Sequence, residues 1–272
     1  MDSNIPLGKE VSYDLTYTPD LLYPVPRRDG RQILGLKNEL PFLGVDIWNA
    51  YEVSWLTPGG KPCVAIAEIE FSAGSVNIIE SKSLKLYLNS LNQTCFTSAD
   101  VLAKTIQDDL AKVSLGMVRV TLKLPGSFKE YRFGEPEGVC IDDLAIQTDC
   151  YSHNRSFLAC EDKQVQECVY SNLLRSNCPV TGQPDWGTVI VNYSGQTISH
   201  QGLLRYIISF REHTGFHENC VEQIFVDLLE CCAPMHLSVY ARFTRRGGID
   251  INPYRSTEKS SNIPDNNRTA RQ

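Results

Sequence analysis

The sequence has none of the common fingerprints of nucleotide-binding and hydrolytic folds. No two of its 18 glycines are separated by a single residue, so the G-x-G-x-x-G turn of Rossmann folds is missing. It also has no G-K-[ST], no H-E-x-x-H and no G-x-S-x-G. These absences argue against a P-loop NTPase, a zinc peptidase of that class and an α/β-hydrolase. If the protein uses a nicotinamide cofactor, it binds it without the usual Rossmann turn.

The chain of 272 residues also lacks a long apolar run and an excess of positive charge. No apolar stretch approaches the roughly 18 residues of a transmembrane helix. A net charge of -6 argues against a general nucleic-acid binder and gives no reason for adhesion to anionic membranes. Residues 1–6 show no basic segment followed by an apolar one, so we identify no secretory signal and expect a cytoplasmic protein.

Ten cysteines are present, but their spacing favours neither disulfides nor a metal site. A reducing cytosol keeps thiols free, and no C-x-x-C pair occurs. Cys231 and Cys232 are adjacent, which is poor geometry for one tetrahedral site. His213 and His217 could share a helix face, but Gly215 between them favours a loop. We therefore expect no bound metal.

Hydrophobic periodicity predicts an α+β protein with two similar halves. Residues 1–44 are rich in proline, tyrosine and charge and are predicted to form an extended arm packed on the body. In the first half we predict a β-hairpin, two helices and a strand, at residues 46–56 with 63–71, 83–91, 99–112 and 117–124. In the second half the corresponding segments are 165–174 with 188–193, 201–211, 219–232 and 237–243, and residues 249–251 are a candidate strand.

An offset of 119 residues superposes the two halves. It places Leu84 on Leu203 and Tyr87 on Tyr206, and it keeps the alternation of the later strands in phase. The order of elements is preserved as well. We therefore predict a tandem of two α+β modules, at residues 1–150 and 151–272, each an antiparallel sheet with two helices on one face. The polar stretch 125–154 is predicted to connect them.

Cys178 and Asp185 form the first candidate catalytic pair. They lie in residues 176–186, a stretch with two prolines, a glycine and an asparagine between two strand-like segments, which indicates a turn. A free thiol has a pKa near ~8.5, so a nucleophilic cysteine needs an activating neighbour, and Asp185 is the nearest ionisable group in sequence. The alternative is a buried structural cysteine in a tight turn with Asp185 exposed.

The second candidate is residues 80–87, Glu-Ser-Lys-Ser-Leu-Lys-Leu-Tyr, where a strand-like segment passes into a helix. In structural terms this is a helix start with Ser81 as N-cap and the charged side chains in solvent. In functional terms, the free N–H groups of a helix N-terminus beside two lysines suit a phosphate.

Two further stretches could bind a purine-like ligand or a nucleotide. Phe216-His217-Glu218 is predicted to connect the second pair of helices; its carboxylate could accept from a guanine-like ring edge, and its aromatic groups could stack or donate. Alternatively, it is a connector with an acid near a helix start. Residues 245–248, Arg-Arg-Gly-Gly, either form a basic β-turn or recognise phosphate, especially the extra phosphate of NADP.

Together these stretches resemble one family, the NADPH-dependent 7-cyano-7-deazaguanine reductases, which are nitrile reductases of queuosine biosynthesis. Residues 80–87 look like the family signature E-[SL]-K-[SA]-x-K-[LY]-[YFW]. Cys178 followed by Asp185 matches the catalytic pair, residues 216–218 match the substrate clamp, and residues 245–250 match as well. The resemblance runs from about Leu7 to Arg255 and includes the layout of the family's long, two-module form.

The resemblance implies the tunnelling fold (T-fold) and reduction of the nitrile of preQ0 to the primary amine preQ1 with two NADPH. It implies that the Cys178 thiolate adds to the nitrile carbon, giving a covalent thioimide, while Asp185 acts as general acid. The implied substrate-binding residues are Ile79, Glu80, Ser81, Phe216, His217 and Glu218. The implied cofactor-binding residues are Ser81, Lys82, Arg246 and Gly247.

Two other functions fit the same module plan. One is a GTP cyclohydrolase-like hydrolase of the same fold, which would usually hold zinc through cysteine and histidine; the weak metal spacing favours the reductase. The other is a non-catalytic purine- or pterin-binding protein, which would need no nucleophile. The resemblance further implies a homodimer, since T-fold modules close barrels by pairing.

Overall fold

The computed structural model describes residues 16–37, 39–258 and 264–272. Residues 1–15 of the predicted N-terminal arm, residues 1–44, therefore lie outside the described residues. The α-helices in the described part are α1 (Arg27–Ile33), α2 (Ser81–Ser90), α3 (Ala99–Ser114), α4 (His200–Ile208) and α5 (His217–Cys232). The strands are β1 (Pro24–Pro26), β2 (Leu43–Leu56), β3 (Pro62–Ser72), β4 (Asn77–Ile79), β5 (Val118–Lys123), β6 (Val139–Cys140), β7 (Cys160–Asn177), β8 (Pro184–Ile198), β9 (His236–Phe243) and β10 (Ile249–Ser256).

The described residues fall into two compact units. The first unit comprises residues 16–29, 46–132 and 245–250, and the second comprises 30–45, 133–244 and 251–272. The predicted boundary between residues 150 and 151 stays a prediction. No helix of the described residues is both long and apolar enough to cross a membrane.

The first unit is built on the predicted hairpin and two helices. Strand β3 lies between β2 and β5, and β3 pairs with β5 in antiparallel register, with Ile69 opposite Val120. On α3, Leu102, Ile106 and Leu110 recur every four residues and are fully buried, so one face of the helix packs onto the core. The hairpin, both helices and the final strand that the sequence predicts here are confirmed.

The second unit repeats this plan with longer strands. Strands β7, β8, β9 and β10 are antiparallel neighbours, and the short β6 runs parallel to β7. Along β9, Leu237, Val239, Ala241 and Phe243 share one face of the sheet and are buried, and α5 packs against β9. Tyr240 and Arg242, on the other face, are buried as well. Because β10 continues to Ser256, the candidate strand at residues 249–251 is longer than predicted.

Equivalent hydrogen bonds confirm that the two units are copies of one module. In the first unit the Tyr87 hydroxyl donates to Asp109 Oδ2 at 2.6 Å, and in the second the Tyr206 hydroxyl donates to Asp227 Oδ2 at 2.6 Å. Each tyrosine lies on the first helix of its unit and each aspartate on the second. The aspartate also binds a residue that precedes its unit's sheet, Tyr17 in the first unit and His153 in the second.

The same equivalence extends to the helix termini. The Ser90 hydroxyl donates to Tyr87 O at 2.7 Å, as that of Ser209 does to Tyr206 O at 2.6 Å. Helices α3 and α5 both end on a residue with positive φ, Leu115 and Ala233. The predicted fold class, a tandem of α+β modules with two helices each, is therefore confirmed.

Candidate active site

The strands of the second unit extend further toward Cys178 and Asp185 than the sequence predicts. Residues 176–186 are predicted as a turn, but β7 continues to Asn177 and β8 begins at Pro184, so the turn is only residues 178–183. Asp185 is a strand residue, paired with Ser176 across the ladder. Pro184 is tolerated because it is the first residue of its strand. The turn prediction was wrong for residues 176–177 and 184–186.

Cys178 lies immediately beyond this ladder, near Asp185. Its backbone N–H donates to Gln183 O at 2.9 Å, which continues the hairpin by one step past the Asn177–Pro184 pair. Cross-strand partners and every second residue along a strand share a face, so Ser176, Cys178 and Asp185 project from the same face of the hairpin. Asp185 is 3% exposed, whereas Cys178 is half-buried. This face carries the predicted nucleophile and acid.

Helix α5 begins beneath that face. Residues 216–218 are predicted as a connector, but His217 and Glu218 form the first turn of α5, and only Phe216 precedes it as N-cap. The connector prediction was wrong because the helix begins two residues earlier than its apolar pattern indicates. His217 Nε2 lies 3.8 Å from Asp185 Oδ1, an ionic contact when the imidazole is protonated. Glu218 is 2% exposed, and its charge suits a helix N-terminus.

Phe243 and Gly187 fix the position of His217. The Phe243 ring packs edge-on against the imidazole, with 4.2 Å between centroids. Gly187 pairs with Phe243 across β8 and β9, and a Cβ added at position 187 would lie 3.1 Å from the Phe243 ring. A side chain at position 187 would therefore displace the ring that supports His217.

A buried charge cluster lies one helical turn further along α5. Glu222 accepts from Arg31 at 2.8 Å and from Arg255 at 2.8 Å, and all three side chains are buried. Two guanidinium groups and one carboxylate leave a net charge of +1 in this cluster. Glu222 follows Glu218 by four residues, so the two carboxylates lie on the same face of α5.

The other cysteine of this region is chemically different from Cys178. The Cys220 thiol is fully buried on α5, beside Ser176. Burial raises the pKa of Cys220 to about 12, and the nearby carboxylate of Asp185 adds to the rise. Cys220 therefore stays a protonated thiol at neutral pH. Of the two, only the half-buried Cys178 can reach a ligand.

In the first unit, the predicted signature lies at the start of α2, and its N-cap is Glu80. The Glu80 side chain accepts from the backbone N–H groups of Lys82 at 2.9 Å and Ser83 at 2.8 Å, and Glu80 is 1% exposed. Ser81 is the first helical residue, so the prediction that Ser81 is the N-cap was wrong. Ile79, just before it, is the last residue of β4 and is buried.

The basic turn of the first unit meets this helix. Arg246 and Ile249 exchange backbone hydrogen bonds, and both residues between them have positive φ, 59° at Gly247 and 80° at Gly248. Glycine adopts this conformation at no steric cost. A Cβ at position 247 would lie 3.3 Å from Lys85 Nζ, so the Lys85 ammonium approaches the turn.

Arg245 and Asp250, on either side of this turn, are held by Tyr51 of β2. The Arg245 guanidinium lies over the Tyr51 ring, 5.2 Å from its centroid, and the Tyr51 hydroxyl donates to the buried Asp250. The Tyr51 backbone N–H donates to Gly248 O at 2.9 Å. The turn is therefore fixed at both ends. Cationic side chains beside an exposed glycine backbone fit the phosphates of NADPH.

The described residues contain no cluster of side chains suited to a metal ion. Within residues 16–37, 39–258 and 264–272, no group of three His, Cys, Asp or Glu side chains could hold a metal ion.

A cavity of about 730 Å³ in the second unit lies on the sheet face away from α5, where Ile190, Tyr240 and Arg242 line it. None of the predicted site residues lines this cavity.

The structure thus places the predicted site residues in two clusters. In the second unit Cys178, Asp185, His217 and Glu218 are neighbours or lie on contacting elements. In the first unit the same holds for residues 79–82 and 246–247. The sequence interpretation did not single out Asn177, Gly187 and Phe243. Only their positions in the folded sheet reveal these roles.

Two family models match the chain. Residues 13–122 match the model described as "Nitrile reductase, 7-cyano-7-deazaguanine-reductase N-term", and residues 184–262 match the model described as "QueF-like protein". The first match covers the signature at the start of α2, and the second covers Asp185 and the start of α5.

Curated relatives match over the full length. A protein of Desulfotalea psychrophila is 56% identical over 274 residues, covering 100% of this chain and 99% of its own. Proteins of Paraburkholderia xenovorans and Burkholderia ambifaria are each 52% identical over 269 residues, covering 98% of both chains. All three are named NADPH-dependent 7-cyano-7-deazaguanine reductase. Among solved structures, the apo archaeosine synthase QueF-Like matches at 17% identity with a TM-score of 0.31, covering 38% of this chain and 99% of its own, too little to carry an argument.

Proposed function

The chain belongs to the family of NADPH-dependent 7-cyano-7-deazaguanine reductases, and on that premise we propose that it reduces the nitrile through a covalent bond to Cys178. The observation that carries this proposal is the hairpin end, where the half-buried Cys178 shares a face with the buried Asp185. A nitrile carbon is electrophilic, but its nitrogen needs a proton as the carbon is attacked. A thiol and a carboxyl group on one face supply both functions.

The first step joins the Cys178 sulfur to the cyano carbon. One π bond of the nitrile breaks, its electron pair becomes an N–H bond with the proton from Asp185, and the product is a thioimide. NADPH supplies a hydride in each of two reductions. After the first reduction Cys178 leaves as thiolate and releases an imine, and after the second the primary amine forms. Over the whole reaction two NADPH and two protons are consumed for each nitrile.

Residues 216–218 hold the deazaguanine ring in this proposal. The Glu218 carboxylate accepts from adjacent N–H groups of the ring edge, His217 donates to a ring oxygen or nitrogen, and Phe216 stacks on the ring. Burial of Glu218 supports this role, since a desolvated carboxylate rejects a ligand that lacks the matching donors. By the family resemblance, we also propose Ile79, Glu80 and Ser81 of the first unit as substrate-binding residues. Glu80 uses the lone pairs that its two capping bonds leave available.

Ser81, Lys82, Arg246 and Gly247 hold the cofactor in this proposal. The support is the approach of α2 to the basic turn, where Lys85 reaches Gly247. We propose further that the enzyme is a cytoplasmic homodimer that acts on the free deazapurine rather than on tRNA. Light scattering of the purified protein tests the dimer directly.

The test is to mix the protein with 7-cyano-7-deazaguanine and NADPH and follow NADPH absorbance. We expect two NADPH oxidised per substrate, and a covalent adduct on Cys178 by mass spectrometry when NADPH is left out. Cys178→Ala should show neither turnover nor adduct. Glu218→Ala should chiefly weaken substrate binding.

A matched control is Cys168→Ala, which removes another half-buried thiol of the same unit and should leave turnover unchanged. A correctly folded wild-type sample that oxidises no NADPH would refute the reductase function. Turnover by Cys178→Ala would refute the covalent route alone. A zinc-dependent release of formate from GTP would favour the cyclohydrolase instead.

A further inference from the structure

Asn177, the last residue of β7 and the residue before the nucleophile, makes five hydrogen bonds. Its backbone N–H donates to His213 O at 2.8 Å, and its carbonyl accepts from Gly215 N at 3.2 Å. Its side-chain Nδ2 donates to Arg211 O at 3.1 Å and to His213 O at 3.3 Å. Its Oδ1 accepts from Arg175 Nη2 at 3.2 Å. We call these five hydrogen bonds the Asn177 clamp.

The amide orientation in the clamp is the only one that satisfies its partners. The carbonyls of Arg211 and His213 can only accept, and the Arg175 guanidinium can only donate. With Nδ2 and Oδ1 exchanged, oxygen would face two carbonyls and nitrogen would face a cation. No residue other than asparagine offers two donors and an acceptor at this length of side chain.

Arg175, one partner in the clamp, also contacts strand β8. Its Nη1 donates to Arg211 O at 2.8 Å, and its guanidinium lies 5.5 Å from the centroid of the Trp186 ring. Arg211 lies over the same ring at 5.7 Å. Trp186 directly follows Asp185 in the chain. The clamp therefore ties together the strands that carry the nucleophile and the acid.

Four of the five bonds lead to residues 211–215, which run directly into the ring-holding residues. Phe216 follows Gly215, and His217 and Glu218 begin α5. On the other side of the clamp, Cys178 follows Asn177. The clamp thus sets the spacing between the sulfur and the residues that hold the ring. Its two side-chain bonds from Nδ2 join residues that are 34 and 36 positions apart in the sequence.

We infer that Asn177 is a positioning residue for the covalent step, which fixes the Cys178 sulfur relative to the ring held by residues 216–218. The inference rests on the proposed function. In that step the sulfur–carbon bond forms as the nitrile nitrogen takes a proton from Asp185, and both transfers need atoms placed within a fraction of an ångström. A displacement of about 1 Å can slow such a step by about 100-fold. Binding of the ring does not use the sulfur and should be insensitive to the clamp.

The experiment compares adduct formation with ring binding in Asn177→Ala. Adduct formation is followed by rapid mixing with 7-cyano-7-deazaguanine without NADPH and mass spectrometry, and ring binding by calorimetry in a Cys178→Ala background. We expect the rate constant for the adduct to fall by about 10- to 100-fold, while the dissociation constant changes less than about threefold. In steady state, kcat falls and KM for the nitrile does not rise.

Asn177→Asp separates the two halves of the clamp. It keeps the size of the side chain and the acceptor for Arg175 but places an oxygen against the carbonyls of Arg211 and His213. We expect it to be at least as slow as Asn177→Ala. Because Asn177→Asp preserves side-chain volume, it also tests the positioning role of Asn177 in case the alanine variant does not fold.

The matched control is Asn172→Ala, five residues earlier on β7. The Asn172 side chain makes two hydrogen bonds, donating to Asp142 at 2.9 Å and accepting from Thr188 at 2.8 Å, whereas that of Asn177 makes three; neither bond of Asn172 leads to residues 211–215. We expect its adduct rate within threefold of wild type, whatever its loss of thermal stability.

Three results would overturn the inference: an adduct rate of Asn177→Ala and Asn177→Asp within threefold of wild type, equal slowing in Asn172→Ala, or a loss of ring affinity as large as the loss of rate. Absence of an adduct in the wild-type protein would instead remove the proposed function. The two failures are therefore distinguishable.

Discussion

His213, whose carbonyl anchors the Asn177 clamp, makes the stability of the second unit depend on pH. Burial lowers the pKa of His213 to about 4, and the nearby His153 adds to the shift while Asp227 opposes it. Nε2 of His213 is buried and has no hydrogen-bond partner among the described residues. The folded protein therefore holds this imidazole in its neutral form, and the unfolded chain binds a proton more readily.

The size of the effect follows from the two pKa values. With about 6.5 in the unfolded chain and about 4 in the folded protein, the stabilisation is complete above pH 6.5 and is lost as the pH falls toward 4. Linkage gives a loss of roughly 2 kcal/mol at pH 5 and roughly 3 kcal/mol at pH 4. This loss is a large fraction of the stability of an ordinary domain.

The assay is urea unfolding of wild type and His213→Phe at pH 7 and pH 5. Phenylalanine keeps a ring beside Phe210, whose centroid is 5.1 Å from that of His213, and it cannot be protonated. We expect wild type to lose about 2 kcal/mol more than the variant between the two pH values. His236→Gln, at an exposed histidine of the same unit, controls for removal of an imidazole as such.

Equal losses in wild type and His213→Phe would refute this reasoning, because the buried imidazole would then not be the group that couples to the proton. Hydrogen exchange at the Asn177 amide, which donates to His213 O, gives a local readout of the same event. We expect the protection of this amide to decrease as the pH is lowered in wild type, and to stay unchanged in His213→Phe.

Three further predictions concern buried charge, helix capping and thiol reactivity. Glu222→Ala leaves Arg31 and Arg255 buried without their carboxylate and should destabilise by about 3–5 kcal/mol in chemical denaturation. Glu80→Ala removes the N-cap of α2 and should cost about 1 kcal/mol in the same assay. Because burial raises the pKa of Cys220 to about 12, its thiol should stay unlabelled by a maleimide at pH 8 until the protein unfolds, as peptide mass spectrometry can determine.

Each of these predictions has a contrary result. A stability of Glu222→Ala within 1 kcal/mol of wild type would mean that the two arginines find other partners at little cost. Unchanged stability of Glu80→Ala would show that the first turn of α2 is held by packing alone. Labelling of native Cys220 at the rate of an exposed cysteine such as Cys95 would show that α5 opens readily.

Periodicity predicted the elements of this fold because each has one buried face. The four-residue spacing of apolar residues in α3 is visible in the sequence and recurs in the structure as one buried face. Strand ends were less visible. Strand β7 begins at Cys160 with exposed polar residues, because pairing of Glu161 and Gln164 with β8 rather than burial holds that segment in the sheet. Asp162 and Lys163 lie between these pairs, where the register shifts.

Within the candidate site, the sequence revealed residue types but not their local roles. Ser81 has the usual chemistry of an N-cap, yet Glu80 takes that position because its carboxylate reaches two backbone N–H groups. The Asn177 clamp joins residues more than 30 positions apart, and no local pattern predicts such contacts. The catalytic and binding assignments drawn from the family resemblance stay predictions until the variants described above are measured.

The repeated module has a consequence for redundancy. Helices α3 and α4 are capped by Ser98 and Ser199, and each serine accepts a backbone N–H. Their counterparts in the other unit, α5 and α2, begin at the predicted clamp residues 216–218 and at the family signature. Equivalent helix starts are thus not interchangeable, because only one of each pair carries predicted site residues. A substitution at such a start therefore has no twin elsewhere in the chain that could take its place.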